Sequence, residues 1–364
     1  MNPRDLSDHP EYVPGRGVEE VARERGLDPE SLVVLSSNEN ELGPSPRAVQ
    51  AIREAAPRAN RYPKSSHTDL VDALADRWSV EAGQVWLANG GDGALDYLSR
   101  ALLTPGDTVL VPEPGFAYYG MSARFHHGAV RTYPLEREDG FAMTAEAILD
   151  QYRGDRIVYV TSPHNPTGAT MAPNELDQLA NETDEDTLIV VDEAYGAFAE
   201  TDSAVALVGR RDDVAVLRSF SKSYGLAGVR LGYALVPLAW ADAYRRVNTP
   251  FAAGEIACRA GLAALSDTEH LERTIEAVRA GRERIYADLA AQTWPSEGNF
   301  VLAAVGDGTV IADELMDRGV IVRDCSSFGL PDCIRITVTT PDPLGRAIET
   351  MNEVLTESSR VSGQ

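Results

Sequence analysis

Between residues 45 and 248 short apolar runs alternate with amphipathic stretches, and this alternation limits the possible folds more than any other feature of the chain. Helical periodicity is read at 46–56, 67–79, 92–103 and 173–181. Apolar runs fit strands at 85–87, 108–111, 129–133, 157–161, 187–191, 214–218 and 233–236. Continuous apolar strands separated by helices imply an α/β fold with a mostly parallel, seven-stranded sheet buried on both faces. Ligands of such sheets sit at the carboxyl ends of the strands. A longer helical pattern at 254–292 is expected to break at Ser266-Asp267. Short strands at 300–303, 320–323 and 334–338 then suggest a smaller α/β unit that also takes in the N-terminus. There, 18–24 reads as a helix stopped by Gly26, and 32–35 as a strand. The expected division is a large domain over 34–248 and a small one built from 1–33 and 249–364. The tail from residue 358 is expected to fray.

Four polar motifs follow directly after these strands. Ala88-Asn89-Gly90-Gly91-Asp92-Gly93 joins a strand to a helix whose first N–H groups are unpaired, a natural phosphate seat. Glycine turns are common, and alone this one is explained as well by structure. Ser162-Pro163-His164-Asn165-Pro166-Thr167-Gly168 is a turn that presents one amide side chain. Val191-Asp192-Glu193-Ala194-Tyr195 ends an apolar run in a carboxylate, which needs a partner if buried. The fourth, Arg218-Ser219-Phe220-Ser221-Lys222 through Arg230, carries one of only two lysines, Lys64 and Lys222, among 33 basic residues. An amine at an apolar strand end loses hydration, which lowers its pKa and frees it as a nucleophile. Ser219, Ser221 and Arg230 can bind an anion beside it. A carbonyl-attacking amine next to a phosphate cradle suggests pyridoxal phosphate chemistry, with a solvated surface lysine as the plain alternative.

The composition narrows the remaining classes. Apolar content of 43% and charged content of 24% fit a soluble globular chain. A net charge of −23 repels phosphate backbones, so nucleic-acid binding is not expected. The acid is spread along the chain and lysine is nearly absent, as in proteins of salt-loving archaea. Three cysteines, Cys258, Cys325 and Cys333, form no C-x-x-C pair and read as free thiols. The N-terminus lacks an apolar leader and no run approaches 18 apolar residues, so the expected location is the cytoplasm, away from membranes. The six histidines show no metal-ligand spacing, and no metal is expected.

Taken together, the four motifs resemble the pyridoxal-phosphate-dependent aminotransferases of the aspartate aminotransferase fold, over nearly the whole chain. Within them the resemblance narrows to the histidinol-phosphate aminotransferases. It is carried by Tyr12-Val13-Pro14-Gly15 with Glu19-Glu20-Val21, Ser37-Asn38-Glu39-Asn40 with Gly43-Pro44-Ser45-Pro46, Arg61-Tyr62-Pro63, Val322-Arg323-Asp324 and Arg335-Ile336-Thr337-Val338. The resemblance implies that Lys222 carries the cofactor and then shuttles the substrate's proton. It implies that Asp192 pairs with the pyridine nitrogen, and that Asn165 and Tyr195 bond the phenolic oxygen. Phe116 would stack on the ring, with ordinary core packing as its alternative. Gly91, Asp92, Ser219, Ser221 and Arg230 would hold the phosphate. Tyr62 would reach the phosphate in a second subunit, which implies a homodimer. Arg335, Arg323, Tyr12 and Asn40 would bind substrate, with arginine forks suiting carboxylate or phosphate alike.

The implied reaction is transamination of histidinol phosphate with 2-oxoglutarate, giving imidazole acetol phosphate and glutamate in histidine biosynthesis. Three positions depart from the family pattern: Glu41 stands in place of proline, Gly93 of an acid and Thr339 of glycine. Rival readings on the same cofactor site are an aromatic amino acid aminotransferase and a threonine-phosphate decarboxylase. A non-catalytic cofactor-binding regulator is the rival from another class.

Overall fold

The computed structural model describes residues 6–362 apart from 8, 13, 14, 16 and 65. Val13 and Pro14 of the Tyr12–Gly15 stretch, the first five residues and the last two of the tail therefore lie outside the described residues. Among the described residues twelve strands are formed: β1 (Val33–Leu35), β2 (Val85–Ala88), β3 (Thr108–Glu113), β4 (Ala129–Pro134), β5 (Ile157–Thr161), β6 (Leu188–Asp192), β7 (Val214–Ser219), β8 (Gly232–Leu235), β9 (Gln292–Thr293), β10 (Phe300–Ala304), β11 (Val320–Asp324) and β12 (Cys333–Thr337).

Seven of them make one sheet in the order β2-β8-β7-β6-β5-β3-β4, with all seven expected strands present. All of its pairings are parallel except those of β8, which runs antiparallel to both β2 and β7. β2, β5 and β6 are buried along their whole length because helices cover both faces. Since β2, β5, β6 and β7 run the same way, the motifs that follow them emerge at one edge of the sheet.

The second sheet has the order β1-β11-β12-β10-β9. Two segments are placed differently from the sequence-based division. Val33–Leu35, expected at the boundary of the large unit, pairs with Val320–Val322 in the second sheet. Glu255–Leu265, expected in the small unit, packs its Ala257, Ala260 and Ala264 into the first core. Its small residues permit close approach: a Cβ on Gly261 would lie 2.4 Å from Leu231. The helical pattern breaks where expected, since Asp267 caps Thr268–Asp288 by accepting from the His270 N–H.

Further helices form where no period was read. Gly308–Asp317 starts in a Gly-Asp-Gly stretch that reads as a loop, yet Asp307 accepts from Val310 N at 3.0 Å and caps it. The tail from residue 358 does not fray at its start, because the helix Pro341–Ser362 runs on through it. Among the described residues, no helix is long and apolar enough to cross a membrane.

Candidate active site

Each functional side chain is delivered by a strand end or the turn after it. Lys222 stands three residues beyond β7, where Phe220 is fully buried and anchors the loop. Its Nζ donates to the Ser37 carbonyl at 3.2 Å and lies 5.7 Å from the centre of the Tyr195 ring. Burial first, and the charge of Arg335 second, bring its pKa down from 10.5 to about 8. The lowered pKa expected from the strand-end position is present, and its causes are the expected desolvation plus a neighbouring cation.

Asp192 ends β6 inside the core. Its carboxylate accepts from Tyr119 Oη at 2.7 Å and from Ala194 N at 2.9 Å. Burial outweighs both bonds and raises its pKa to about 6. Tyr119 also meets the Thr161 hydroxyl at 2.8 Å and stacks on Tyr159. Phe116 packs edge-on against Tyr119, with centroids 5.4 Å apart, and Tyr12 stands edge-on to Phe116 at 6.1 Å.

Arg335, on β12, links the two sheets. Its guanidinium donates to Asn165 Oδ1 at 2.5 Å and to the Ser36 carbonyl at 2.6 Å, while buried Nε has no partner. The rings of Phe300 and Phe328 lie 5.4 and 5.8 Å away. Because a guanidinium only donates, Asn165 must turn its oxygen to Arg335 and leave its NH₂ as a donor. Tyr195 is arranged alike: its oxygen accepts from Asn38 Nδ2 at 3.0 Å, which leaves the phenolic proton to give away. Arg323 sits opposite Arg335 in the β11–β12 register and donates to Ser327 Oγ at 3.0 Å. Asn40 Nδ2 donates to the Ser223 carbonyl at 3.3 Å, beside Lys222.

The phosphate candidates form a second cluster. Arg230, at φ 54°, pairs with Asp92 at 3.1 Å and lies 3.5 Å from Ser221 Oγ. Gly90, at φ +75°, brings the turn against this arginine, since a Cβ there would fall 2.6 Å from its Nη2. Ser219 Oγ accepts from Ser221 N at 3.0 Å, so its own hydroxyl proton is free to donate. Gly91 lies in the first turn of the helix Gly90–Leu102.

One candidate stands apart. Tyr62 is 84% exposed and, among the described residues, stacks on Phe251 at 4.9 Å rather than on any group of these clusters. His164, left without a role, is fully buried between Thr167 Oγ1 and the Pro114 carbonyl. Burial lowers its pKa to about 3, so it is a neutral structural group. Residues the sequence reading missed are Tyr119, Asn38 and Gly90. Tyr119 lies three residues beyond Phe116 in an aromatic stretch, and nothing marked it as the partner of Asp192. Asn38, at φ 53°, is bonded to Tyr195, Thr337 and the Asn299 amide. Beyond its place in the Ser37–Asn40 motif, the ease with which asparagine adopts left-handed geometry was its signal.

Chemistry of this kind on this fold has counterparts. The family described as aminotransferase class I and II matches residues 30–351, and the chain belongs to it. A histidinol-phosphate aminotransferase of Natronomonas pharaonis is 63% identical over 98% of this chain and 100% of the relative. That of Haloarcula marismortui is 62% identical over 98% and 99%. A histidinol-phosphate aminotransferase from Sinorhizobium meliloti, solved with pyridoxal 5'-phosphate, superposes with a TM-score of 0.84 at 28% identity, covering 97% of each chain. An aspartate aminotransferase from Thermus thermophilus, solved with maleate, gives a TM-score of 0.84 at 25% identity over 97% of this chain and 100% of that one. At these identities the chain's place within the class is among the histidinol-phosphate aminotransferases.

Pyridoxal 5'-phosphate is the cofactor of this class, and the residues present fit it. A cradle of positive-φ glycine closes on Arg230, burial raises the pKa of the Asp192 carboxylate, and Lys222 carries the lowered pKa that its attachment needs.

Proposed function

We propose that this chain moves the amino group of L-histidinol phosphate to 2-oxoglutarate, with Lys222, Asp192, Tyr195, Asn165 and Arg335 in the roles the family pattern gives them. The observation that carries this is a buried amine of lowered pKa within reach of Ser37 and Tyr195, in the field of a buried arginine. Bound pyridoxal phosphate supplies the electron sink that makes the C–H bond beside the substrate nitrogen breakable. Lys222 takes that proton and returns it, since an amine with a pKa near 8 is partly free at neutral pH. Asp192 would hold the proton on the pyridine nitrogen, and Asn165 Nδ2 and Tyr195 Oη, the donors left free by Arg335 and Asn38, would serve the phenolic oxygen. Ser219, Ser221, Arg230 and the N–H groups at Gly91 and Asp92 hold the phosphate. Arg335, assisted by Arg323, Tyr12 and Asn40, grips the substrate anion. Its buried Nε without a partner favours that assignment, because a bound oxyanion satisfies it.

Absorbance of the lysine-bound cofactor tests the reading in a single turnover. Histidinol phosphate is expected to remove that absorbance and 2-oxoglutarate to restore it, while Lys222→Ala shows neither change. Loss with phenylalanine or tyrosine alone would assign the chain to the aromatic branch. Exposed Tyr62 on exposed Phe251 supports a homodimer in which Tyr62 completes the partner's phosphate site. Sedimentation in molar KCl is expected to give a dimer, and a monomer that binds cofactor fully would end that part of the proposal.

A further inference from the structure

The arginines of the site account for the anionic end of either substrate and leave the imidazole ring of the proposed amino donor without a partner. An imidazole presents an N–H, so a site that reads it needs an acceptor, and a carboxylate is the strongest available. Most carboxylates near Lys222 are committed. Asp192 is held by Tyr119 and Ala194 N, and Asp92 pairs with Arg230. Glu193 pairs with Arg218 and accepts from Ser203 Oγ and Ala204 N.

Glu39 differs from all three. Among the described residues its carboxylate has no hydrogen-bond or ion-pair partner, and it is exposed rather than sunk in the core. The backbone that carries it is nevertheless fixed on both sides by groups of the site. Ser37 accepts from Lys222 at 3.2 Å, and Asn38 is tied to Tyr195 and Thr337 at 3.0 Å each. Asn40 holds the Ser223 carbonyl at 3.3 Å. Of the carboxylates, Glu39 does most to favour the charged form of Lys222.

We propose that Glu39 is the residue that recognises the imidazole of the amino donor, accepting a hydrogen bond from the ring N–H. The assignment rests on the substrate reading given above. It also bears on how one site serves two substrates of different charge. Arg335 attracts the anionic group of both, whereas Glu39 attracts only an N–H-bearing ring and repels a second carboxylate such as that of glutamate. Because the side chain is exposed, it can turn into solvent when glutamate binds, at little cost.

Glu39→Ala and Glu39→Gln, with Glu41→Gln as a control on the same loop, are to be compared in the two half-reactions. For Glu39→Ala the expected loss of kcat/KM with histidinol phosphate is about 10- to 100-fold, seen mainly in KM. Glu39→Gln, which keeps a neutral acceptor, loses less. KM for glutamate is expected to stay or fall in both. Calorimetric binding of histidinol phosphate to the Lys222→Ala protein, with and without Glu39→Ala, supplies a readout independent of turnover and is expected to show the same loss. Equal losses for both donors would make Glu39 a group that acts only through Lys222, and would overturn the assignment. So would unchanged kinetics in both variants. If the unaltered protein turns over glutamate but not histidinol phosphate, the substrate reading fails and this assignment with it.

Discussion

At the scale of single residues the site is governed by two titrations that burial has moved towards each other. Lys222 falls to about 8 and Asp192 rises to about 6, each because its charged form is the worse hydrated one in the core. The rise at Asp192, from 3.8 to about 6, means that ionising this carboxylate in the protein alone costs about 3 kcal/mol more than in water. A pyridinium N–H set against it offsets that cost. The sign follows directly. With its folded pKa raised, Asp192 favours folding of the cofactor-free protein most at pH below 4, and this contribution is lost as pH rises through about 6. Cofactor binding needs the opposite, ionised form, so affinity for pyridoxal phosphate is expected to fall as pH drops below 6, by up to tenfold per unit. Asp192→Asn is expected to bind more weakly at every pH, to lose that dependence, and to lower kcat on the order of 10²–10³-fold. Equilibrium binding followed by fluorescence between pH 4.5 and 8 checks this. A pH dependence that survives in Asp192→Asn would assign the titration to another group.

At the scale of elements, what matters is where strands stop. The turn from β2 into the helix Gly90–Leu102 has to place backbone N–H groups beside Arg230, and Gly90 does so at φ +75° with no room for a side chain. Gly90→Ala would set a methyl group 2.6 Å from the guanidinium in a left-handed backbone, a strain of roughly 1–2 kcal/mol before any clash. The arginine is half-exposed and able to swing away, so a weaker cofactor site is expected rather than an unfolded protein. The dissociation constant for pyridoxal phosphate is expected to rise at least about tenfold, with the melting temperature of the cofactor-free protein lower by only a few degrees. A variant that melts far lower but binds normally would show that the glycine serves the fold and not the phosphate. The same strand ends explain which parts of the molecule were legible in advance. Runs such as Ile157–Thr161 and Val214–Ser219 are buried along almost their whole length, so their apolar sequence is continuous and the polar motif after each stands out. Helices such as Ala145–Gln151 and Gly308–Asp317 are short, and the second begins in a turn-like glycine, leaving little period to read. The contacts between Arg335, Asn165 and Ser36 were not legible at all. They join residues 170 and 299 positions apart, and no local pattern records such a distance. The role of Val33–Leu35 was hidden for the same reason, since three apolar residues fit either sheet and only pairing with β11 decides between them.

At the scale of the whole molecule, the net charge of −23 sets two electrostatic effects against each other. Salt weakens exposed ion pairs such as Arg25 with Asp313 and Asp317, or Arg318 with Glu357. Salt also weakens repulsion among acids that have no such partner. Asp184-Glu185-Asp186, between the helix Pro173–Glu182 and β6, is a run of three acids in which, among the described residues, Asp186 alone has an ion-pair partner, Arg156 at 3.6 Å. With 56 acids against 33 bases, many carboxylates have no base left to meet, so repulsion outweighs pairing in the sum. The screening length shrinks from about 10 Å at 0.1 M salt to about 3 Å at 1 M, which is the spacing over which surface carboxylates act on one another. The melting temperature is therefore expected to rise by at least about 5 °C between 0.1 and 1 M KCl, corresponding to a gain of a few kcal/mol. Above 1 M the rise from screening should level off, whereas an effect of solute exclusion keeps growing with concentration. Calorimetric scans from 0.1 to 3 M KCl, with sucrose at matched osmolality as the uncharged comparison, separate the two. A melting temperature that does not move below 1 M would mean that the ion pairs already balance the excess acid. A rise that sucrose reproduces in full would show that hydration, and not charge, is what the salt acts on.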